Sequence, residues 1–336
     1  MYVYDSIHPP SADLIQRGAV SEVVMEVEDG GVSKSAAVAA CTAMALFYVA
    51  ILYSPTLILR LPPPTSFKSY MIRRFVCAAV SSLISVVFSA LILPIRSWEA
   101  SFLSGVYGIR LDHMWQAVVY PVTLTSLMYA GSLTLKSILL LASWKEQCND
   151  GEGQLSNCTE NVLQRFIGKI FSVASNVSAW RNYFVAPITE ELVFRACMIP
   201  LLLCGGFKTY SIIFFCPIFF SLAHLNHFFE VFTHQNRSVL KASMVVGLQL
   251  AYTVVFGSYA SFLFVRTGHL VAPLVAHIFC NFMGLPVLYS PRNGIVSIAF
   301  VAGLVGFLWL LSPATNPEFM RVMLLVWYNS VGRSNL

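Results

Sequence analysis

Eight apolar runs, each about as long as a bilayer is thick, fill most of this chain: residues 35–59, 75–94, 116–142, 181–205, 210–229, 240–265, 269–289 and 294–312. A bilayer core takes about 20 apolar residues per helix. In lipid, every backbone N–H and C=O must be satisfied within a helix or a closed barrel. Continuous apolar runs, without the in-and-out alternation of barrel strands, leave helices as the solution. The charge content agrees, because only 11% of the 336 residues are charged, against about 25% in a soluble domain. The expected fold class is all-α: a polytopic transmembrane helix bundle of about eight spans.

The polar segments divide the chain. Residues 1–33 hold six acidic groups (Asp5, Asp13, Glu22, Glu26, Glu28 and Asp29) against Arg17 alone, a net of −5, so the total of +5 leaves +10 for the rest. They are read as an acidic, disordered N-terminal tail with no cleaved signal peptide. Residues 34–312 form the transmembrane catalytic bundle, with a motif core at 181–289, and 313–336 form a C-terminal tail. Pro62-Pro63-Pro64 stops the first helix, and Lys136 interrupts the third run. The longest polar stretch, 143–162, is an exposed loop. After it, Val162, Phe166, Ile170 and Val173 recur at helical spacing with Arg165 and Lys169 between them, which predicts an amphipathic surface helix over 162–177.

Loop Lys and Arg lean toward an N-terminus outside, with Lys68, Arg73, Arg74 and Arg181 among the inner basic residues. The acceptor sites at Asn157, Asn176 and Asn236 then face the cytosol and stay unglycosylated. Of eight cysteines, Cys148 and Cys158 share one loop and can pair in an oxidising compartment. No basic patch suits nucleic acid.

An ionisable side chain within a membrane helix costs roughly 2.5–3.5 kcal/mol on insertion scales and is by default functional. All five aspartates fall in tails or loops, which excludes a paired-aspartate intramembrane protease. Neither Gly-x-Ser-x-Gly nor His-Glu-x-x-His occurs. What remains is Glu190, Glu191 and Arg195 on the fourth run, His224, His227 and Glu230 at the end of the fifth, and His277 with Asn281 on the seventh. Residues four apart share a helix face. Glu191 therefore pairs with Arg195, while Glu190, turned about 100° away, is left free for chemistry. His277 and Asn281 point the same way. If the three faces converge, a carboxylate, two imidazoles and an amide surround one cavity. Such a set can deprotonate a water and donate hydrogen bonds to an oxyanion.

The strings Glu190-Glu191-x-x-x-Arg195, Phe220-x-x-x-His224 and His277-x-x-x-Asn281, in that order on separate helices, resemble the type II CAAX prenyl endopeptidases, the Ras-converting branch of the glutamate-dependent intramembrane proteases. The resemblance covers about residues 181–289. It implies an enzyme that removes the last three residues from proteins ending Cys-a-a-X whose cysteine is farnesylated or geranylgeranylated, small GTPases and similar proteins among them. By the same analogy Glu190 and His224 activate the water, His277 and Asn281 form the oxyanion site, and Glu191, Arg195 and His227 support the geometry. No metal or other cofactor is called for, the partners are prenylated proteins and the lipid bilayer, and the location is the endoplasmic reticulum membrane. Phe214, Phe215, Phe219 and Phe220 either line a sideways opening for the prenyl chain or are plain lipid-facing residues.

Two other readings stand beside this one. The same Glu and His residues are zinc ligands by type, which makes a zinc-dependent membrane protease the first. Buried Glu and His also suit a proton-coupled transporter or a non-catalytic scaffold.

Overall fold

The computed structural model describes residues 32–94, 100–149, 168, 171–224, 239–290 and 293–314, and these contain helices and no strand. Helix α1 (Lys34–Ala50) starts where the Ser33 hydroxyl accepts from the Ala36 N–H at 3.2 Å, and α2 (Phe67–Ile92) where Ser66 does the same for Ser69 at 3.1 Å. Each serine satisfies one of the N–H groups a helix start leaves unpaired. A short α3 (Ala100–Val106) leads to α4 (Met114–Met128) and α5 (Ala130–Asn149). Helix α6 occupies 177–204, and α7 (Thr209–His224), α8 (Val239–Thr267), α9 (Val271–Met283) and α10 (Gly294–Ala314) follow.

Helix α6 is not regular. It widens into π-helix at Arg181–Val185 and again at Leu192–Cys197. Pro187 follows the first widening and Pro200 the second. A proline cannot donate to the carbonyl four residues back and its ring crowds that carbonyl; those carbonyls, of Tyr183 and Ala196, lie inside the two π segments. Between them, Ala186–Glu191 returns to α geometry and carries Glu190 and Glu191.

This helix is the centre of the bundle. Val193, Phe194 and Ala196 to Leu202, Pro200 included, are buried, and α6 packs on α1, α2, α7 and α9. Helices α7 and α8 pack along one another, and α10 lies on α4 and α5. Gly108, at φ +69°, ties the α3–α4 loop to the start of α9 by accepting from Leu270 N–H at 2.8 Å. A Cβ there would meet Leu270 N at 2.9 Å, so both the turn and the close approach require glycine.

The outward faces are apolar, as on α10, where Ile295, Ile298, Val301, Val305, Leu308 and Trp309 are exposed. A row of that kind needs a lipid partner. By length and composition four described helices can cross a membrane, or five if the bent pair Met114–Met128 and Ala130–Lys145, at 79°, counts as one. The bundle is therefore an all-α membrane fold. Where they are described, all eight expected runs lie largely on helix, and four or five described helices are of crossing length. The seventh run forms a shorter apolar helix, Val271–Met283, and the described part of the fifth is the apolar segment Thr209–Ser221. The fourth is the charge-bearing, π-widened α6.

The tails lie outside the described residues apart from 32–33 and 313–314, as do Cys158, Asn157, Asn236 and half of the expected surface helix 162–177, of which 168, 171–175 and 177 are helical. Asn176 caps the start of α6, its Oδ1 accepting from Ser178 N–H at 2.9 Å.

One contact gives a direct test of this packing. A Cβ on Gly303 of α10 would overlap the Leu127 carbonyl and the Ala130 Cβ, at the bend between α4 and α5. Gly303→Leu is expected to destabilise the protein by about 1–3 kcal/mol or more. A clear fall in Tm in detergent would show it, and an unchanged Tm would mean that α10 is not seated there.

Candidate active site

Glu191 and Arg195 lie in the middle of the bundle with no solvent exposure, and Arg195 Nη1 donates to Glu191 Oε1 at 3.1 Å. The same carboxylate oxygen accepts from His277 Nδ1 of α9 at 2.6 Å. An ionised carboxylate only accepts, so this bond places a proton on Nδ1 and turns Nε2 the other way. There it meets Glu190, whose Oε2 lies 3.7 Å from Nε2. One imidazole thus spans two adjacent carboxylates, and the 100° between consecutive helical residues gives them different surroundings. Glu191 is enclosed and Glu190 is part-exposed to a cavity.

The Arg195 guanidinium lies 4.6 Å from the ring centroid of Phe220 on α7 and 5.9 Å from that of Phe256 on α8. Aromatic faces attract a cation, and more strongly when water is absent. Phe256 also packs on the His277 ring, with centroids 4.9 Å apart. The phenylalanine of the Phe-x-x-x-His string is therefore part of the arginine's seat. Gly257 lets α8 come close, since a Cβ there would stand 3.0 Å from Pro217 and 3.4 Å from Arg195 Nη2. Toward α1, Thr189 Oγ and the Tyr48 hydroxyl bond at 2.9 Å, which fixes the turn before Glu190.

Asn281, one turn beyond His277, donates from Nδ2 to the carbonyl of Asn182 at 2.8 Å. This pins the C-terminal half of α9 to the first π segment of α6 and leaves the amide's second N–H for another acceptor. Glu190, His277 and Asn281 all line a cavity of about 380 Å³, walled also by Tyr48, Arg74 and Arg181.

The structure thus brings together Glu190, Glu191, Arg195, His277 and Asn281. His224 ends α7, but its side chain and the whole of His227 lie outside the described residues. Phe214 and Phe215 are exposed and Phe219 and Phe220 buried, and none of the four lines the cavity. Among the described residues no group of three His, Cys, Asp or Glu side chains is placed to hold a metal ion. Sequence reasoning missed the Glu191–His277 bond and the Phe256 and Asn182 contacts, because nothing local links residues so far apart in the chain. Phe220 was signalled only by its place in a motif.

Comparison with known proteins identifies the family. Residues 173–283 match the family model described as "Type II CAAX prenyl endopeptidase Rce1-like". The chain is 61% identical over 293 residues to a CAAX prenyl protease 2 of Arabidopsis thaliana, covering 87% of this chain and 94% of that one. It is 32% identical over 284 residues to the human CAAX prenyl protease 2, covering 83% and 80%. No solved structure matches it. The matched segment takes in α6, α7 and α9, which carry the carboxylates, the arginine's aromatic seat and the histidine, and identity of this extent over nearly the whole of a relative places the chain in the type II CAAX prenyl endopeptidase family.

Proposed function

We propose that this chain removes the C-terminal three residues from prenylated Cys-a-a-X proteins, small GTPases among them, in the endoplasmic reticulum membrane, by hydrolysis without a metal. The observation that carries the mechanism is the part-exposed Glu190 carboxylate beside a histidine that a second, enclosed carboxylate orients. Glu190, with His224, holds a water and takes its proton. The resulting hydroxide attacks the carbonyl carbon of the prenylated cysteine. The developing oxyanion is met by the second N–H of Asn281 and by His277 Nε2. Donation from Nε2 requires the doubly protonated ring, since Nδ1 already donates to Glu191. That ring also brings the formal charges of Glu190, Glu191, Arg195 and His277 to zero. When the intermediate collapses, Glu190 returns its proton to the amine of the departing tripeptide.

A membrane site suits such a substrate. A prenyl chain gains about 0.8 kcal/mol per buried CH₂, so the cysteine already resides at the bilayer and the cut must be made there.

The test uses the purified protein in detergent with a farnesylated Cys-a-a-X peptide and its unprenylated counterpart, following the released tripeptide by mass spectrometry. Release is expected from the prenylated peptide alone and is expected to survive a strong chelator. Loss on chelation, restored by zinc, would replace the water-activating carboxylate by a metal centre. No release from a folded preparation would favour a transporter or scaffold.

A further inference from the structure

Two cations on the cavity wall have no part in this mechanism. Arg74 of α2 and Arg181 of α6 line the same cavity as Glu190, His277 and Asn281, from helices that pack on each other. Neither is paired with a carboxylate among the described residues. Arg74 Nη1 donates to the Tyr70 hydroxyl at 2.9 Å with its guanidinium 5.6 Å over that ring, and Arg181 Nε donates to Asn182 Oδ1 at 3.0 Å. Each guanidinium has five N–H donors, so most remain for another acceptor. Among the described residues Glu190 is the only carboxylate on the wall, so that lining carries one formal positive charge in excess when His277 is neutral.

A substrate cut three residues from its end brings an anion into this cavity. The α-carboxylate of the leaving tripeptide is ionised at neutral pH, and three extended residues place it at most about 11 Å from the scissile bond. A carboxylate withdrawn from bulk water into the cavity needs a charged partner. A guanidinium matches a carboxylate with two parallel N–H bonds and keeps its charge at every working pH. Resting on the peptidase reading above, we propose that Arg74 and Arg181 form the receptor for the substrate's C-terminal carboxylate, so that the enzyme selects free chain ends and aligns them on Glu190.

The test compares two farnesylated peptides that differ at one group, a C-terminal acid and the corresponding carboxamide. Both are offered to the full-length protein in nanodiscs of phosphatidylcholine, which supply no net anionic headgroup. Wild type is expected to cleave the amide with kcat/KM about 10- to 100-fold lower, the size of a lost charged hydrogen bond. Arg74→Gln/Arg181→Gln is expected to lose a similar factor on the acid, little more on the amide, and hence the discrimination. Arg74→Lys should retain part of it.

Equal cleavage of acid and amide by wild type would overturn the receptor, and that comparison needs no variant to fold. An equal loss on both peptides in the double variant would also overturn it, as a structural effect. So would a variant-sensitive response of both peptides to added phosphatidylserine, which would assign the arginines to a lipid headgroup. Cleavage of the acid peptide, abolished by Glu190→Ala, verifies the peptidase reading in the same assay. Cleavage of neither peptide would sink that reading and the receptor with it.

Discussion

Glu190→Gln is expected to lower kcat/KM for a farnesylated Cys-a-a-X peptide by about 10²–10⁴-fold, the range that a positioned general base supplies, while leaving the protein folded. The substitution keeps the shape of the side chain and removes its basicity. Its cost to folding is small because Glu190 is part-exposed and His277 Nε2, its ion-pair partner among the described residues, stands at 3.7 Å, beyond hydrogen-bond range. The geometry also favours Glu190 over Glu191 as the proposed base. Glu191 is wholly enclosed, and its Oε1 already accepts from both Arg195 and His277. A water reaching the cavity meets Glu190. Rates of tripeptide release under saturating enzyme, read beside a thermal melt, decide the matter. A variant with wild-type rate would remove Glu190 from the chemistry altogether.

How much of this could be read from the chain depends on how local the cause was. In the Glu190-Glu191-x-x-x-Arg195 and His277-x-x-x-Asn281 strings the polar groups face as spacing dictates, because each string lies within one or two helical turns; the His224 side chain lies outside the described residues. The separation of Glu190 from Glu191, one free and one paired with Arg195, follows from the helical step alone. It holds although a π segment begins at Leu192, between Glu191 and Arg195. The π widenings themselves were not anticipated, though Pro187 and Pro200 were visible signals for them. Four to five described helices are of crossing length and shorter apolar helices accompany them, and hydropathy alone does not tell lipid from protein interior. The run 116–142 is apolar throughout, yet it bends by 79° at Tyr129, whose hydroxyl bonds Tyr252 and the Gly284 carbonyl. Residues 193–202, Arg195 apart, are apolar because other helices surround them. The bond from His277 to Glu191 crosses 86 positions, and only the packed bundle reveals it.

The same bond makes Glu191 and Arg195 the residues on which stability should depend most. Removing one partner of an enclosed ion pair leaves the other charged without water, at a cost of about 3–5 kcal/mol. Arg195→Met strands the Glu191 carboxylate with His277 as its only donor among the described residues. Glu191→Gln strands the guanidinium between Phe220 and Phe256, where two aromatic faces offset only part of the loss. Arg195 already has Nε and Nη2, and Glu191 its Oε2, without a hydrogen-bond partner among the described residues. The cluster therefore has little in reserve. Each single variant is expected to lower Tm markedly. Glu191→Gln/Arg195→Met should fall less than the two losses added, because neither charge is then left alone. Activity should stay lost in all three, since every change at Glu191 or Arg195 disturbs the group that holds His277 toward Glu190. Additive Tm shifts would show that the pair does not act as a unit. A Glu191→Gln protein with full activity would show that His277 is oriented by something other than this carboxylate.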